Sequence, residues 1–354
     1  MRILVVKMSS LGDIVQTWPA LVWLKRRSDS VKVDWAVESE YASLVQAHPM
    51  IDQVFAVPFR EWRRQGWIGG LLRGRIQEQW RSLTSQFCAD HYDAVIDFQS
   101  LIKSALLCRV ASGRSGRGHG WQASSCREPL AAAFYDSRHP GTHYLAQHAV
   151  LRYISLMAQV WQTLVPGSAG TGFHGSGVGL IDTGVPQLIE ETDIDYGMQW
   201  QGLHTDMDHQ AIVWLLHGSA RTEKCWEESS WIAVGRRLSQ FGYRCAVAWG
   251  TPEEQERARR MVSAIPNAWM PMERPTYATW MGLFSRSAMA IGVDSGLLYL
   301  AAAAQVPTLG LYLATSPEQA GVMGRAPHKN LARGVGVETV GDEALKLIRP
   351  GTVF

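Results

Sequence analysis

A chain of 354 residues with 46% hydrophobic and 19% charged residues can fill two domain cores, which excludes an intrinsically disordered protein. A formal charge of +2 excludes a strongly basic nucleic-acid binder, and five cysteines, odd in number and never spaced CxxC, argue against a disulfide framework or a zinc site. With no apolar run of about 18 residues to span a bilayer and no signal-peptide pattern, a cytoplasmic chain is expected. Fifteen tryptophans is a high count, and some of them are expected on surfaces.

In chain order, "RILVV" (2–6) reads as a buried strand, and "KMSSLGD" (7–13) is a polar, glycine-bearing loop before a helical run. Asp13 ends that loop. A lone acid there is either a helix cap or a single base able to take a proton from a hydroxyl. No second acid lies near it, so a paired-carboxylate glycosidase is not signalled. "VKVDWAV" and "AVIDF" repeat the strand-then-helix scheme. Between them, "FREWRRQGWIGGLLRGRIQEQWR" (59–81) sets Arg60, Arg63, Arg64, Arg73, Arg75 and Arg81 against Glu61 and Glu78. Trp62, Trp67 and Trp80 interleave, a composition suited to anionic headgroups or a phosphorylated lipid, and also to a plain solvated face. "GRSGRGHG" (113–120) fits neither the dinucleotide nor the P-loop pattern, and "HPGTHYLAQH" (139–148) has histidines without HExxH.

"PGSAGTGFHGSGVG" (166–179) reads as a linker, and the D-x-D matches at 193–195 and 206–208 fall in the same polar region. The second half alternates again through "AIVWLLH", "YRCAVAW", "AMAIGV" and "PTLGLY". Its first strand ends in "HGSARTEK", where Ser219, Arg221, Thr222 and Lys224 supply hydroxyls and cations suited to phosphate oxygens. Its third ends in Asp294-Ser295-Gly296 and runs into an apolar helix, whose N-terminus favours an anion. Two such loops in one domain suggest a nucleotide-diphosphate ligand. The alternation predicts an α/β chain of two Rossmann-like, doubly wound parallel sheets around a central cleft, with ligands at the strands' carboxyl ends. The expected boundaries are a first domain at 1–165, a linker region at 166–208, a second domain at 209–335, and a final helix at 336–354 returning to the first domain.

Six stretches in order, "VVKMSSLGDIVQTWPAL", "YDAVIDFQSLIKSALL", "REPLAAAFY", "HGSARTEKCWEESSW", "WGTPEEQERA" and "VDSGLLYLAAA", resemble the ADP-heptose:lipopolysaccharide heptosyltransferases, most closely the heptosyltransferase I branch of the inner core. The resemblance implies the GT-B fold, with the acceptor on the first domain and the nucleotide sugar on the second. It implies inverting transfer of L-glycero-D-manno-heptose from ADP-heptose to a Kdo of Kdo-lipid A, with no metal or cofactor. Asp13 is then the base and Lys224 the residue that steadies the departing diphosphate. Ser219, Ala220, Glu254 (at the ribose), Asp294, Ser295, Gly296 and Tyr299 fall at the donor site. Ser10, Arg60, Arg63, Arg64 and Arg127 fall on the acceptor side. The expected partners are the nucleotide sugar, a phosphorylated glycolipid and, peripherally, the cytoplasmic face of the inner membrane. Four positions depart from the family pattern: Tyr299 stands for a histidine, Ala220 for a hydroxyl residue, Gln16 for a histidine, and Pro275 near a usual methionine. The alternatives are a different nucleotide sugar or acceptor on the same catalyst, or a non-catalytic relative that binds sugar nucleotides or lipids.

Overall fold

The opening strand β1 (Arg2–Val6) is buried at four of its five positions, the continuous apolar pattern of a parallel strand covered on both faces. The computed structural model to which it belongs describes residues 1–64, 74–89, 91–113, 117–168, 196 and 212–348. The chain divides into two units, Met1–Ile189 and Glu190–Phe354.

In the first unit, β1 leads into α1 (Leu11–Lys25), followed by β2 (Lys32–Glu38), α2 (Ala42–Gln46), β3 (Gln53–Val57), α3 (Phe59–Arg64) and α4 (Arg75–Ala89). Then come β4 (Ala94–Asp97), α5 (Ile102–Ser112), β5 (Gly118–Trp121), β6 (Ser137–His139) and α6 (Ala149–Leu164). The six strands lie in the order β3-β2-β1-β4-β5-β6, all parallel. That doubly wound order reverses between β1 and β4, and ligands of such sheets bind where the order reverses, beyond the strands' carboxyl ends. Helix α1 packs along α6 and is internal on every side. From Leu11 to Leu24, Asp13 is the one residue that is not buried.

The second unit runs β7 (Ile212–Leu216), α7 (Glu228–Gln240), β8 (Arg244–Val247), α8 (Pro252–Ala264), α9 (Tyr277–Phe284) and β9 (Met289–Val293). It continues through α10 (Gly296–Ala303), β10 (Thr308–Tyr312), α11 (Pro317–Ala320), β11 (His328–Ala332) and α12 (Val337–Ile348). Its five parallel strands are ordered β11-β10-β9-β7-β8, so the reversal falls between β7 and β9.

Two expectations change here. The described part of the final helix, α12, expected to return to the first domain, packs within the second unit. Val340, Ala344 and Leu345 share one face of it and sit in the core of the second unit with Val213, Val234 and Leu311. Arg237 of α7 adds ion pairs to Glu338 and Asp342. The described tryptophans also differ from expectation, being buried or half-buried. Trp18, Trp35, Trp62, Trp121, Trp214, Trp231 and Trp280 are fully buried, and no tryptophan among the described residues is exposed. Packing against strands offsets the cost of ordering so large a side chain better than a solvated position does. Trp67, Arg73 and nearly all of the expected linker, with both D-x-D matches, lie outside the described residues.

Candidate active site

The loop after β1 and the start of α1 build the candidate site of the first unit. Ser10 is the N-cap, and Asp13, at the third helical position, accepts the Ser10 backbone N–H at 3.1 Å and the Ser10 hydroxyl at 2.8 Å, both on Oδ2. Both sequence readings of Asp13 therefore meet in one residue. It completes the cap, and its side chain is still 32% exposed at the carboxyl end of the sheet. Its other oxygen, Oδ1, accepts the Tyr153 hydroxyl at 2.9 Å and lies 3.5 Å from Lys7 Nζ. Burial pushes the Asp13 carboxyl up, but the Lys7 ammonium and the Ser10 and Tyr153 hydrogen bonds outweigh it and hold the group below its ordinary value. Ser10, expected to meet the acceptor, spends its hydroxyl on Asp13 instead.

Cations surround this acid. Arg127 is exposed, makes no ion pair or hydrogen bond among the described residues, and its charge bears on both Lys7 and Tyr153. Lys103, at the start of α5, lies among Glu38, Arg63, Arg60 and Glu128, and burial lowers its ammonium below the ordinary value. The three arginines expected together differ in availability. Arg60 is tied to Glu40 and Tyr41, and Arg64 reaches the Arg60 carbonyl at 3.5 Å. Arg63 is exposed and without a partner among the described residues. Trp62 cannot anchor a surface, because it is buried against Phe59 and donates its indole N–H to Gln79 at 2.7 Å.

The candidate site of the second unit lies where β7 and β9 run side by side. Lys224, in the turn at Thr222–Lys224, meets Asp294 Oδ2 at 2.5 Å, although 70 residues separate them. Thr315 donates to the same oxygen at 2.7 Å, and Ser219 donates to the Asp294 backbone carbonyl at 3.3 Å. Ser295 is the N-cap of α10 and Gly296 its first residue, and the Ser295 hydroxyl, buried, has no partner among the described residues. Ala220 is exposed and brings no polar side chain. Glu254 accepts the Gly250 and Thr251 backbone N–H groups at 2.7 and 3.2 Å through Oε2, as the third residue of a capping box. Its Oε1 points at Gly218, where an added Cβ would come within 2.1 Å. The glycine thus lets the carboxylate lie against the β7 loop.

Tyr299 departs from expectation. A donor contact was expected of it, but it is 4% exposed and its hydroxyl lies 2.6 Å from both Asp294 Oδ1 and the Ala320 carbonyl. Helical spacing from Ser295 correctly placed it near the loop. Its ring turns into the apolar helix, and only the hydroxyl reaches back. Lys7, Tyr153, Lys103, Thr315 and Gly218 were not singled out from the sequence. Lys7 had a signal, a cation closing an apolar strand. Tyr153 had none, lying 140 residues from Asp13 in an amphipathic helix.

Two doubly wound parallel sheets, one offering an exposed acid at its reversal point and the other a lysine–aspartate pair with hydroxyls, define a GT-B glycosyltransferase architecture. Residues 80–343 match glycosyltransferase family 9 (heptosyltransferase). The chain is 33% identical to lipopolysaccharide heptosyltransferase 1 of Pseudomonas aeruginosa over 92% of its length and 82% of the relative's. It is 31% identical to the protein of the same name from Escherichia coli K12, over 94% and 95%. The E. coli heptosyltransferase WaaC solved with ADP is similar at a TM-score of 0.75 and 28% identity, covering 98% of each chain. A second structure of WaaC, with ADP-2-deoxy-2-fluoro heptose, gives 0.73. The chain belongs to glycosyltransferase family 9, the heptosyltransferases. Among the described residues no helix is long and apolar enough to cross a membrane.

Proposed function

We propose that the chain transfers L-glycero-D-manno-heptose from ADP-heptose to a Kdo of Kdo-lipid A, with inversion at the anomeric carbon. The observation that carries this reading is Asp13, the one unburied residue from Leu11 to Leu24 of an internal helix and an acid kept ionised at the carboxyl end of its sheet. In this reading the Kdo hydroxyl attacks the anomeric carbon and gives its proton to Asp13. The new carbon–oxygen bond forms as the bond to the diphosphate breaks, and the departing electron pair stays on ADP. Lys224, with hydrogens beyond the one it gives Asp294, neutralises that charge. The N-terminal N–H groups of α10, and the Ser219 hydroxyl once turned from the Asp294 carbonyl, add donors for phosphate, and Glu254 is assigned to the adenosine ribose.

Arg127, Arg63 and Lys103 are the cations we assign to the carboxylates and phosphates of the glycolipid. Arg60 and Arg64, partly engaged within the protein, add to the same positive field. This basic surface also supports peripheral contact with the anionic cytoplasmic leaflet. ADP-heptose is a substrate in this scheme, and no metal or cofactor is assigned a role. The test is release of the nucleoside diphosphate (ADP, UDP or GDP, according to the donor) by purified protein supplied with Kdo-lipid A and ADP-heptose, or with ADP-glucose, UDP or GDP sugars in its place. Turnover confined to ADP-heptose supports the reading, and turnover of another nucleotide sugar alone overturns it.

A further inference from the structure

The two oxygens of Asp13 are not equivalent. Oδ2 receives both Ser10 donors, which fills its two lone-pair sites. Oδ1 receives the Tyr153 hydroxyl at 2.9 Å and faces the Lys7 ammonium at 3.5 Å. That hydroxyl in turn accepts from Lys7 Nζ at 2.8 Å, and Lys7, 3% exposed, has a further acceptor in the Phe98 carbonyl at 3.4 Å. The phenol oxygen, the ammonium and Asp13 Oδ1 thus form a triangle: the hydroxyl bonds to both charged groups, and these face one another at 3.5 Å, beyond hydrogen-bond contact.

We propose that Tyr153 is the positioning residue of the base: it keeps Lys7 from closing onto Asp13 and leaves one site on Oδ1 open for the acceptor hydroxyl. This rests on reading Asp13 as the base. Without the phenol, Lys7 loses a hydrogen-bond acceptor in a place that water does not reach, and Oδ1 is the nearest anionic replacement. A contact ion pair there would occupy the site the substrate needs. The charged groups facing this set are Lys7 from the loop after β1, Asp97 from the end of β4, Arg152 from α6, and the exposed Arg127. Burial and the Asp13 charge hold the Tyr153 phenol well above its ordinary value, so it keeps its own proton throughout. The acceptor proton ends on Asp13 Oδ1.

The experiment is steady-state kinetics with ADP-heptose and Kdo-lipid A on wild type, Tyr153→Phe, Lys7→Met and Asp13→Asn, with ADP-binding stoichiometry counting the folded sites. Tyr153→Phe should lower kcat per ADP-binding site by about tenfold, the equivalent of one hydrogen bond, at an unchanged KM for ADP-heptose. Lys7→Met should move the acid limb of kcat to higher pH, because Asp13 loses its cation. A purely structural Tyr153 would lower the urea unfolding midpoint of Tyr153→Phe and leave kcat of the folded enzyme unchanged. That result, or an acid limb unmoved in Lys7→Met, overturns the proposal. Wild-type turnover in Asp13→Asn would instead overturn the reading of Asp13 as the base.

Discussion

Lys224 and Asp294 meet at 2.5 Å across the seam where the second sheet reverses, one from the loop after β7 and the other from the end of β9. Asp294 is well satisfied: Lys224 and Thr315 donate to Oδ2 and Tyr299 to Oδ1. An ammonium has three hydrogens, so Lys224 is oriented by one and keeps others for a phosphate. The aspartate thus fixes a long, flexible side chain that would otherwise lose rotamer freedom on binding.

Lys224→Ala should therefore impair both donor binding and turnover. Losing a charge-assisted contact to the diphosphate should raise KM for ADP-heptose and lower kcat by roughly a hundredfold, the scale of removing one oriented donor from a developing anion. Isothermal titration with ADP and steady-state rates measure the two effects. Unchanged values for both would move the diphosphate site elsewhere.

Asp13→Asn keeps the shape of the side chain and removes its basicity. Turnover should fall roughly a hundred- to ten-thousand-fold with ADP affinity preserved, because a base acts in the transition state alone. The wild-type pH profile carries a second check. The folded carboxyl lies below its ordinary 3.8, so its favourable contacts are present above that value and are lost only as pH falls through the lower folded value. An acid limb of kcat between about pH 5 and 7 would have to come from another group.

The basic segment separates into cations that are free and cations that are held. Arg63→Glu should raise KM for the phosphorylated acceptor several-fold more than Arg64→Glu, whose native side chain already reaches the Arg60 carbonyl. Both effects should shrink as salt rises toward about 1 M, where the Debye length is near 3 Å. ADP binding should be untouched. Equal loss of both ligands would indicate damaged folding rather than a lost contact.

Most of this architecture was legible because it rests on pattern. Seven buried strands announced themselves as apolar runs, and each placed its following loop at a carboxyl end. Of the strands not anticipated, β5, β6 and β11 are short, polar or glycine-bearing: "GHGW", "SRH" and "HKNLA" carry no periodic signal, and pairing with a neighbour makes them strands, whereas β3, "QVFAV", is an apolar run as long as β1. Site residues within one motif were legible for the same reason. The Lys7–Tyr153–Asp13 set joins β1 to α6, and Thr315 comes from a separate loop, so sequence spacing carried no trace of either. Tyr299 was placed on the correct turn, yet burial decided which way it points.

His217 gives the fold a pH dependence. It is fully buried at the end of β7, and burial first, with the Arg257 charge second, pushes its imidazole down to about 4. The unfolded chain therefore binds the proton first as pH falls from about 6.5, and stability declines from there down to the folded value near 4. The loss from this group by pH 4 is on the order of 3 kcal/mol. Urea midpoints measured from pH 7.5 to 4.5 should fall in the wild type and fall less steeply in His217→Gln. Parallel curves would assign the acid sensitivity to other groups, such as His139, also pushed down to about 4.

Tyr299 is the departure from the family pattern with the clearest structural consequence. One hydroxyl hydrogen cannot serve two acceptors, and of the two oxygens 2.6 Å away the Asp294 carboxylate is the stronger. Tyr299→Phe leaves Asp294 Oδ1 without that donor inside an apolar helix packing. The expected cost is about 1–3 kcal/mol of stability, the scale of a buried polar group stranded by loss of its partner. Asp294 is then free to turn toward Lys224, so KM for ADP-heptose should rise by a few-fold at most, as a secondary effect. Tyr299→His brings back the residue type of the family pattern. Its ring nitrogen reaches less far than the phenol oxygen, so stability should recover only in part. Thermal or urea unfolding alongside donor kinetics separates the two roles. An unchanged unfolding midpoint in Tyr299→Phe together with a large rise in donor KM would mean that the hydroxyl serves the donor rather than Asp294.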